Sequence, residues 1–225
     1  MGLAPDEAMK VIDIESWERK TQFQNFSKYT HPVFSVAVRL DVTEAVLFCK
    51  KNNYSFFPVF LFLLAKCCNS IPELRTRMEN GRVIQHEVIH PSYVVLREDN
   101  SIATCLTDYD SDFRSFYANA RADIDATKTD VSEREFNSVI RTDCLYISSM
   151  QWMDIVTVND PYDFNCEEQT SIPRITWGKY VERPDGKYEM GFHISAHHGL
   201  MDGYHISQLI GRLENEMKNI NSIQE

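Results

Sequence analysis

The sequence predicts an α+β domain in which one mixed β-sheet is layered with helices. Three observations carry that reading. Stretches alternating apolar and polar residues recur along the 225-residue chain, the period of half-buried strands. Between them lie stretches with apolar residues at helical spacing, one of them apolar nearly all round, as suits a helix lying under a sheet. The two kinds do not follow the regular strand–helix alternation of a doubly wound parallel fold. No internal period marks a repeat and no Gly/Ser/Pro-rich linker divides the chain. Residues 1–225 therefore read as a single domain, with 1–10 a loose N-terminal tail.

VFSVAVRL, residues 33–40, sets Phe34, Val36, Val38 and Leu40 against Ser35, Ala37 and Arg39, a strand with one apolar face. DVTEAVLFCKK follows as a short helix opened by an Asp41–Glu44 capping pattern. Ser55 is placed to cap a second helix through FFPVFLFLLAKCCNS, with Pro58 in the first turn, where a missing N–H is tolerated. Asn80-Gly81 marks a turn. YVVL (93–96) and IATCL (102–106) read as strands flanking Asp99-Asn100. Within 110–126, Phe113, Phe116, Tyr117 and Ala120 recur at helical spacing. LYISS (145–149) is a strand and the acidic NDPYDFNCEEQ (159–169) a loop. RITWGKY (174–180) and YEMGFHISAHH (188–198) are strands joined by a turn at Pro184-Asp185-Gly186. Ile206, Leu209, Ile210, Leu213, Met217 and Ile220 mark the apolar face of a last helix.

With 43% hydrophobic and 12% aromatic residues the chain can bury a sizeable core. A formal net charge of −10 opposes binding to nucleic acid and to anionic membrane, both of which need clustered Lys and Arg. Any anionic ligand must meet a local basic cluster. The six cysteines form no CxxC pair and no metal-ligand spacing, and Cys67 and Cys68 lie in an apolar run, so buried reduced thiols and no metal are expected. MGLAPDEAMK has no apolar leader stretch, and the longest apolar run, 56–65, is about half of what a membrane span needs. A soluble protein of the cytoplasm is expected.

Chemistry concentrates in SAHHGLMDGYHIS, residues 195–207. Met190, Phe192, Ile194, Ala196 and His198 share one face of a strand; His193, Ser195 and His197 share the other. His198 thus ends an apolar row, where the chain turns through Gly199 and Asp202-Gly203. A lone histidine in such a place is more often structural than catalytic. Yet histidine is suited to proton abstraction near neutrality, and an aspartate follows four residues later. That carboxylate either orients the ring or organises the loop; spacing does not separate the two.

HHGLMDGYH closely resembles the HHxxxDGxH signature of chloramphenicol acetyltransferases. Its HxxxDG core is shared with dihydrolipoyl acyltransferases and peptide-synthetase condensation domains. IDIESWERKTQF, NNYSFFPVFLFLLAKCCNSIPELRTRMENG, HPSYVVLREDNS, LYISSMQW and ITWGKY resemble further segments of the same family, in order. The resemblance implies a two-layer CoA-dependent acyltransferase fold assembled as a homotrimer, with sites between subunits. It implies acetyl-CoA as co-substrate, no permanently bound cofactor, and chloramphenicol as the hydroxylated acceptor. By the same resemblance His198 is the general base, Ser148 the oxyanion donor, and Thr176 a contact to the intermediate through water. Asp202 and Arg19 pair to hold the histidine loop. Lys179 and Tyr180, with Trp152, belong to the CoA site, and Asn25, Phe26, Ile102 and Thr104 to the acceptor pocket. His197 and His205 are packing groups, and His193 has no role.

Two departures matter. Ser55 stands where the family often has a lysine for CoA. Asn25 and Ile102 stand where family members often carry aromatics, so the acceptor pocket is more polar. The first alternative is therefore the same acetyl transfer to another hydroxylated molecule. A dihydrolipoyl acyltransferase core is disfavoured, since no lipoyl domain or linker precedes the fold; a condensation domain needs about twice this length.

Overall fold

The computed structural model describes residues 9–129 and 140–224. Six strands form the main sheet: β2 (Val33–Asp41), β5 (His90–Leu96), β6 (Ile102–Leu106), β7 (Cys144–Met150), β8 (Arg174–Glu182) and β9 (Tyr188–His197). Their spatial order is β2-β9-β8-β7-β5-β6. The β5–β7 and β7–β8 pairs are parallel and the other three antiparallel, the mixed sheet expected from the sequence. A smaller sheet of β1 (Met9–Val11), β3 (Thr76–Glu79) and β4 (Arg82–His86) stands apart, in the order β1-β4-β3.

Cross-strand register gives the main sheet two different faces. Tyr93, Ile147, Ile175 and Ile194 align across β5, β7, β8 and β9 on one of them. The helices α2 (Thr43–Asn52), α3 (Phe56–Asn69), α4 (Phe113–Thr129) and α6 (Gly203–Lys218) share a single apolar cluster with that face. Helix α3 is apolar nearly all round because most of its surface is covered: its Phe60 ring lies 5.0 Å from Trp177 of the sheet, while Lys66 reaches solvent. The opposite face is polar. Ser195, Arg174, Tyr146 and Ser92 form one row across it, and His193, Thr176 and Ser148 the next.

The segment 151–157 runs across β8 and β9. A Cβ at Gly191 would collide with the Ile155 carbonyl, and one at Gly178 would lie 2.8 Å from the Met153 carbonyl oxygen. The Lys179 N–H donates to that same oxygen at 2.8 Å, at a bulge between Trp177 and Tyr180.

Several sequence expectations are corrected. Residues 1–8 of the expected loose tail lie outside the described residues, whereas Met9 and Lys10 pair with His86 and Gln85 in β1–β4. The first helix starts at Thr43, and Asp41 accepts from the Thr43 N–H at 3.0 Å instead of forming a capping box with Glu44. Ser55 is the N-cap of α3 but its hydroxyl accepts from Arg121 Nη1 at 2.8 Å, so it caps nothing with its side chain. The helix expected over 110–126 starts after Asp112, which accepts from the Ser115 N–H at 2.8 Å. The loop 159–169 ends in a short helix, α5 (Glu167–Ser171). Helix α1 (Lys20–Phe26) was not anticipated. Strand β9 stops at His197, one residue short of His198. Among the described residues no helix is long and apolar enough to cross a membrane.

Candidate active site

His198 is fixed at the end of β9 by its backbone and by its ring. Its N–H donates to the Pro32 carbonyl at 2.8 Å. The imidazole stacks on Phe26 of α1 with centroids 3.9 Å apart and planes within 5°, and Phe34 of β2 lies 4.4 Å away. Nδ1 is buried without a hydrogen-bond partner among the described residues, which leaves Nε2 as the nitrogen open to a substrate. An aromatic clamp of this kind holds the ring while spending no hydrogen bond on it.

The loop after His198 is tied from a distance. Arg19 Nη1 donates to Asp202 Oδ2 at 3.0 Å, and Arg19 Nη2 to the His198 carbonyl at 3.5 Å. Asp202 Oδ1 accepts from the Tyr204 N–H at 3.0 Å, capping α6, and the Asp202 N–H donates to His205 Nδ1 at 3.1 Å. The carboxylate is therefore turned toward Arg19 and the helix start, with no hydrogen bond to His198 among the described residues. Burial works to raise the Asp202 pKa, but Arg19, His205 and the Tyr204 N–H outweigh it and hold the carboxyl below the ordinary aspartate value. His197 accepts from the Gly199 N–H at 3.1 Å, and burial, helped by the neighbouring His198, drives its pKa down to about 4. His197 is thus a neutral packing group near pH 7.

Ser148 and Thr176 face each other across β7 and β8 in the wall of a cavity of about 730 Å³ on the polar face. Ile102 and Thr104 line it too, with Tyr146, Arg174, Asp160 and Tyr162, four residues the sequence reading did not single out. Two of them carry a readable signal, for Arg174 and Tyr146 precede Thr176 and Ser148 by two residues and so must share their face. Asp160 and Tyr162 come from the loop after β7, where no period marks a direction.

His193 was expected to have no role, yet it belongs to a buried polar chain beside this cavity. Its Nε2 lies 2.9 Å from Ser195 Oγ, which donates to Asp160 Oδ2 at 2.8 Å. Burial lowers the His193 pKa, against the pull of Asp160.

A second cavity, about 410 Å³, is lined by Lys179, Tyr180, Ser55, Phe56 and Ser149, among others. Consecutive residues of a strand point to opposite faces, so Ser148 and Ser149 face one cavity each and β7 runs between them. Arg121 of α4, bonded to Ser55, brings a positive charge to a place where the sequence offered none. Trp152, expected beside CoA, is 63% exposed and lies outside this wall. Asn25 is exposed on α1 and does not line the larger cavity; Phe26 instead forms the His198 clamp. Within one chain the expected residues thus fall into three groups, and His198 lines neither cavity. No cluster of His, Cys, Asp and Glu among the described residues is placed to hold a metal ion.

A family model described as chloramphenicol acetyltransferase matches residues 8–216. A chloramphenicol acetyltransferase of Bacillus pumilus is 30% identical over 210 residues, covering 89% of this chain and 90% of that protein. One of Escherichia coli is 28% identical over 206 residues, covering 90% and 91%. A solved chloramphenicol acetyltransferase structure superposes with a TM-score of 0.85 at 26% identity, over 93% of this chain and 99% of that one.

Proposed function

This chain belongs to the chloramphenicol acetyltransferase family and is an acyltransferase; from that premise we propose that it transfers acetyl from acetyl-CoA to a hydroxyl of chloramphenicol. The acceptor oxygen attacks the thioester carbonyl carbon while His198 Nε2 takes its proton. The new C–O bond gives a tetrahedral intermediate whose oxyanion accepts from the Ser148 hydroxyl. Collapse breaks the C–S bond, and His198 returns the proton to the CoA thiolate. Transfer is direct, because holding both substrates together removes much of the entropic barrier without an acyl-enzyme. Thr176, paired with Ser148 in register, holds a water against the intermediate. Asp202 and Arg19 position the histidine loop and touch no reacting atom.

The observation that carries this reading is the pair of cavities separated by β7 at Ser148-Ser149. One, with Ser148, Thr176, Ile102 and Thr104 in its wall, would take the acceptor. The other, with Lys179, Tyr180 and the adjoining Arg121, suits a phosphorylated nucleoside and its thioester arm. That His198 lines neither supports a complete site joining His198 of one subunit to the cavities of another; the homotrimer is what membership of the family implies. Acetyl-CoA is a co-substrate, and the chain keeps no permanently bound cofactor.

The experiment is acetyl-CoA-dependent thiol release with chloramphenicol, for wild type and His198→Ala. Release by the wild type and a loss of about 100-fold or more in the variant are expected, the contribution of a general base. No release with chloramphenicol would refute the acceptor, and a variant keeping a tenth of the turnover would refute the base. One observation favours another acceptor: Asp160, Tyr146 and Arg174 give the cavity a polar wall.

A further inference from the structure

Arg174 is the one lysine or arginine in the wall of the cavity that holds Ser148 and Thr176, among the described residues. It precedes Thr176 by two residues on the same face of β8, so its row lies about 7 Å along the strand from the Ser148–Thr176 row. The guanidinium is clamped. Its Cζ sits 3.9 Å from the centre of the Tyr162 ring and 5.8 Å from that of Tyr146, and Nη2 donates to Gln169 Oε1 at 3.3 Å. Tyr162 is held in turn by its hydroxyl, which donates to the Ser195 carbonyl at 3.4 Å.

Among the described residues the clamp leaves two nitrogens unbonded, Nη1 on the outer edge and Nε within. Nε is closed off from solvent and has no acceptor among the described residues. The carboxylates of the same wall are turned elsewhere: Asp160 is bonded to Ser195, and exposed Asp163 accepts from the Asn165 N–H at 3.0 Å. A planar fork of donors, held against Tyr162, matches a carboxylate in two parallel hydrogen bonds. Arg19, Arg75 and Arg97 also bury an Nε without an acceptor among the described residues, so what sets Arg174 apart is its place as the one Lys or Arg in this wall, among the described residues, with its plane stacked on Tyr162.

We infer that Arg174 is a specificity-determining residue, and that the cavity selects acceptors carrying a carboxylate about 7 Å from the hydroxyl that is acetylated. The inference rests on the proposed reading of Ser148 and Thr176 as the reacting end of this cavity. Tyr146 and Tyr162 act through Arg174 by fixing its plane.

The test compares two molecules built on the nitrophenyl-aminopropanediol core of chloramphenicol, one with an N-succinyl group and the other its methyl ester. Dissociation constants are measured by calorimetry without acetyl-CoA, so that binding is read apart from turnover. Wild type should bind the acid on the order of tenfold more tightly than the ester, a preference that shrinks as salt is raised. Arg174→Gln should bind the two alike, and Arg174→Lys should keep part of the preference. Equal binding of acid and ester by the wild type overturns the inference with no variant needed. So does a preference that survives in Arg174→Gln, or loss of assembly in that variant alongside a wild type without preference. Thiol release with the same two compounds reports separately on the proposed reaction: a charge preference in binding without turnover would refute the reaction and leave the role of Arg174 standing.

Discussion

Arg19 Nη1 donates to Asp202 Oδ2 at 3.0 Å, joining the start of α1 to the start of α6 across 183 positions of sequence. Arg19 is almost fully buried, with 8% of its side chain exposed, and Asp202 is a third exposed at 32%. The pair therefore lies between a surface ion pair, worth at most about 1 kcal/mol, and a buried one, whose breaking costs about 3–5 kcal/mol. Asp202→Asn keeps an oxygen to cap α6 and removes the charge. A coupling of about 1–2 kcal/mol is expected in a double-mutant cycle of Arg19→Met with Asp202→Asn, read from thermal unfolding. Both singles should lower turnover, because Arg19 also bonds the His198 carbonyl. Strictly additive losses would show that the two side chains do not act as a pair.

A second prediction follows from His198 lining neither cavity of its own chain. His198→Ala and Ser148→Ala chains are each expected to be nearly inactive alone. Refolded together in equal amounts, they should recover about a quarter of wild-type activity, the share of interfaces at which an intact His198 meets an intact Ser148 under random cyclic assembly. Sites completed within one chain would recover none.

The parts of the fold read most easily from sequence are those whose burial follows a simple period. Strand β9 and helix α6 are such elements, and the histidine loop lies between them. Helix α1 escaped because KTQFQNF has no buried residue and so no apolar stripe to read. The Asn80-Gly81 turn was legible, but its strands β3 and β4 were not named. They pack around Arg77, a fully buried guanidinium that donates to the carbonyls of Leu74, Thr76, Thr142 and Cys144. A charged side chain satisfied by backbone carbonyls, two of them as far away as Thr142 and Cys144, leaves no side-chain pattern to read. The candidate site was legible at His198, Ser148 and Thr176 through a resemblance of motifs. Arg121 and Tyr162 were not, since each reaches its site through tertiary packing from an element read for other reasons.

Acid should destabilise the fold through two buried histidines. Burial drives His86 and His197 down to about 4 from an ordinary 6.5; Arg77 assists at His86, and the neighbouring His198 at His197. Both are neutral in the folded state over the window from about 6.5 to about 4, while the unfolded chain takes up a proton at each. Stability is full above 6.5 and falls as pH falls through that window, by about 1.4 kcal/mol per pH unit for each histidine. Asp202, held below the ordinary value of 3.8, contributes stability that is lost only at lower pH. Melting temperatures at pH 7.5, 6 and 5 measure the effect. A flat profile between 6.5 and 5 would show that the two rings are hydrated in the native state.

Arg121 should supply the charge that Ser55 does not. Its Nη1 donates to Ser55 Oγ at 2.8 Å, at the rim of the cavity that contains Lys179 and Tyr180. The chain carries a net charge of −10, so the anionic phosphates of CoA need local cations to approach it. Arg121 is 43% exposed and shares its charge with Asp125 at 3.7 Å, which limits its worth to about 1 kcal/mol. Arg121→Ala should therefore raise the Michaelis constant for acetyl-CoA about threefold to tenfold, with turnover and the acceptor constant little changed. Ser55→Lys in the Arg121→Ala background should bring the constant back down, because a lysine there places a charge at the same rim without help from α4. Raising the salt concentration should narrow the difference between wild type and variant. If Arg121→Ala left the acetyl-CoA constant unchanged, the arginine would serve only to anchor α4 to the start of α3. Its loss would then appear in the melting temperature alone, and Lys179 would be left to meet the phosphates.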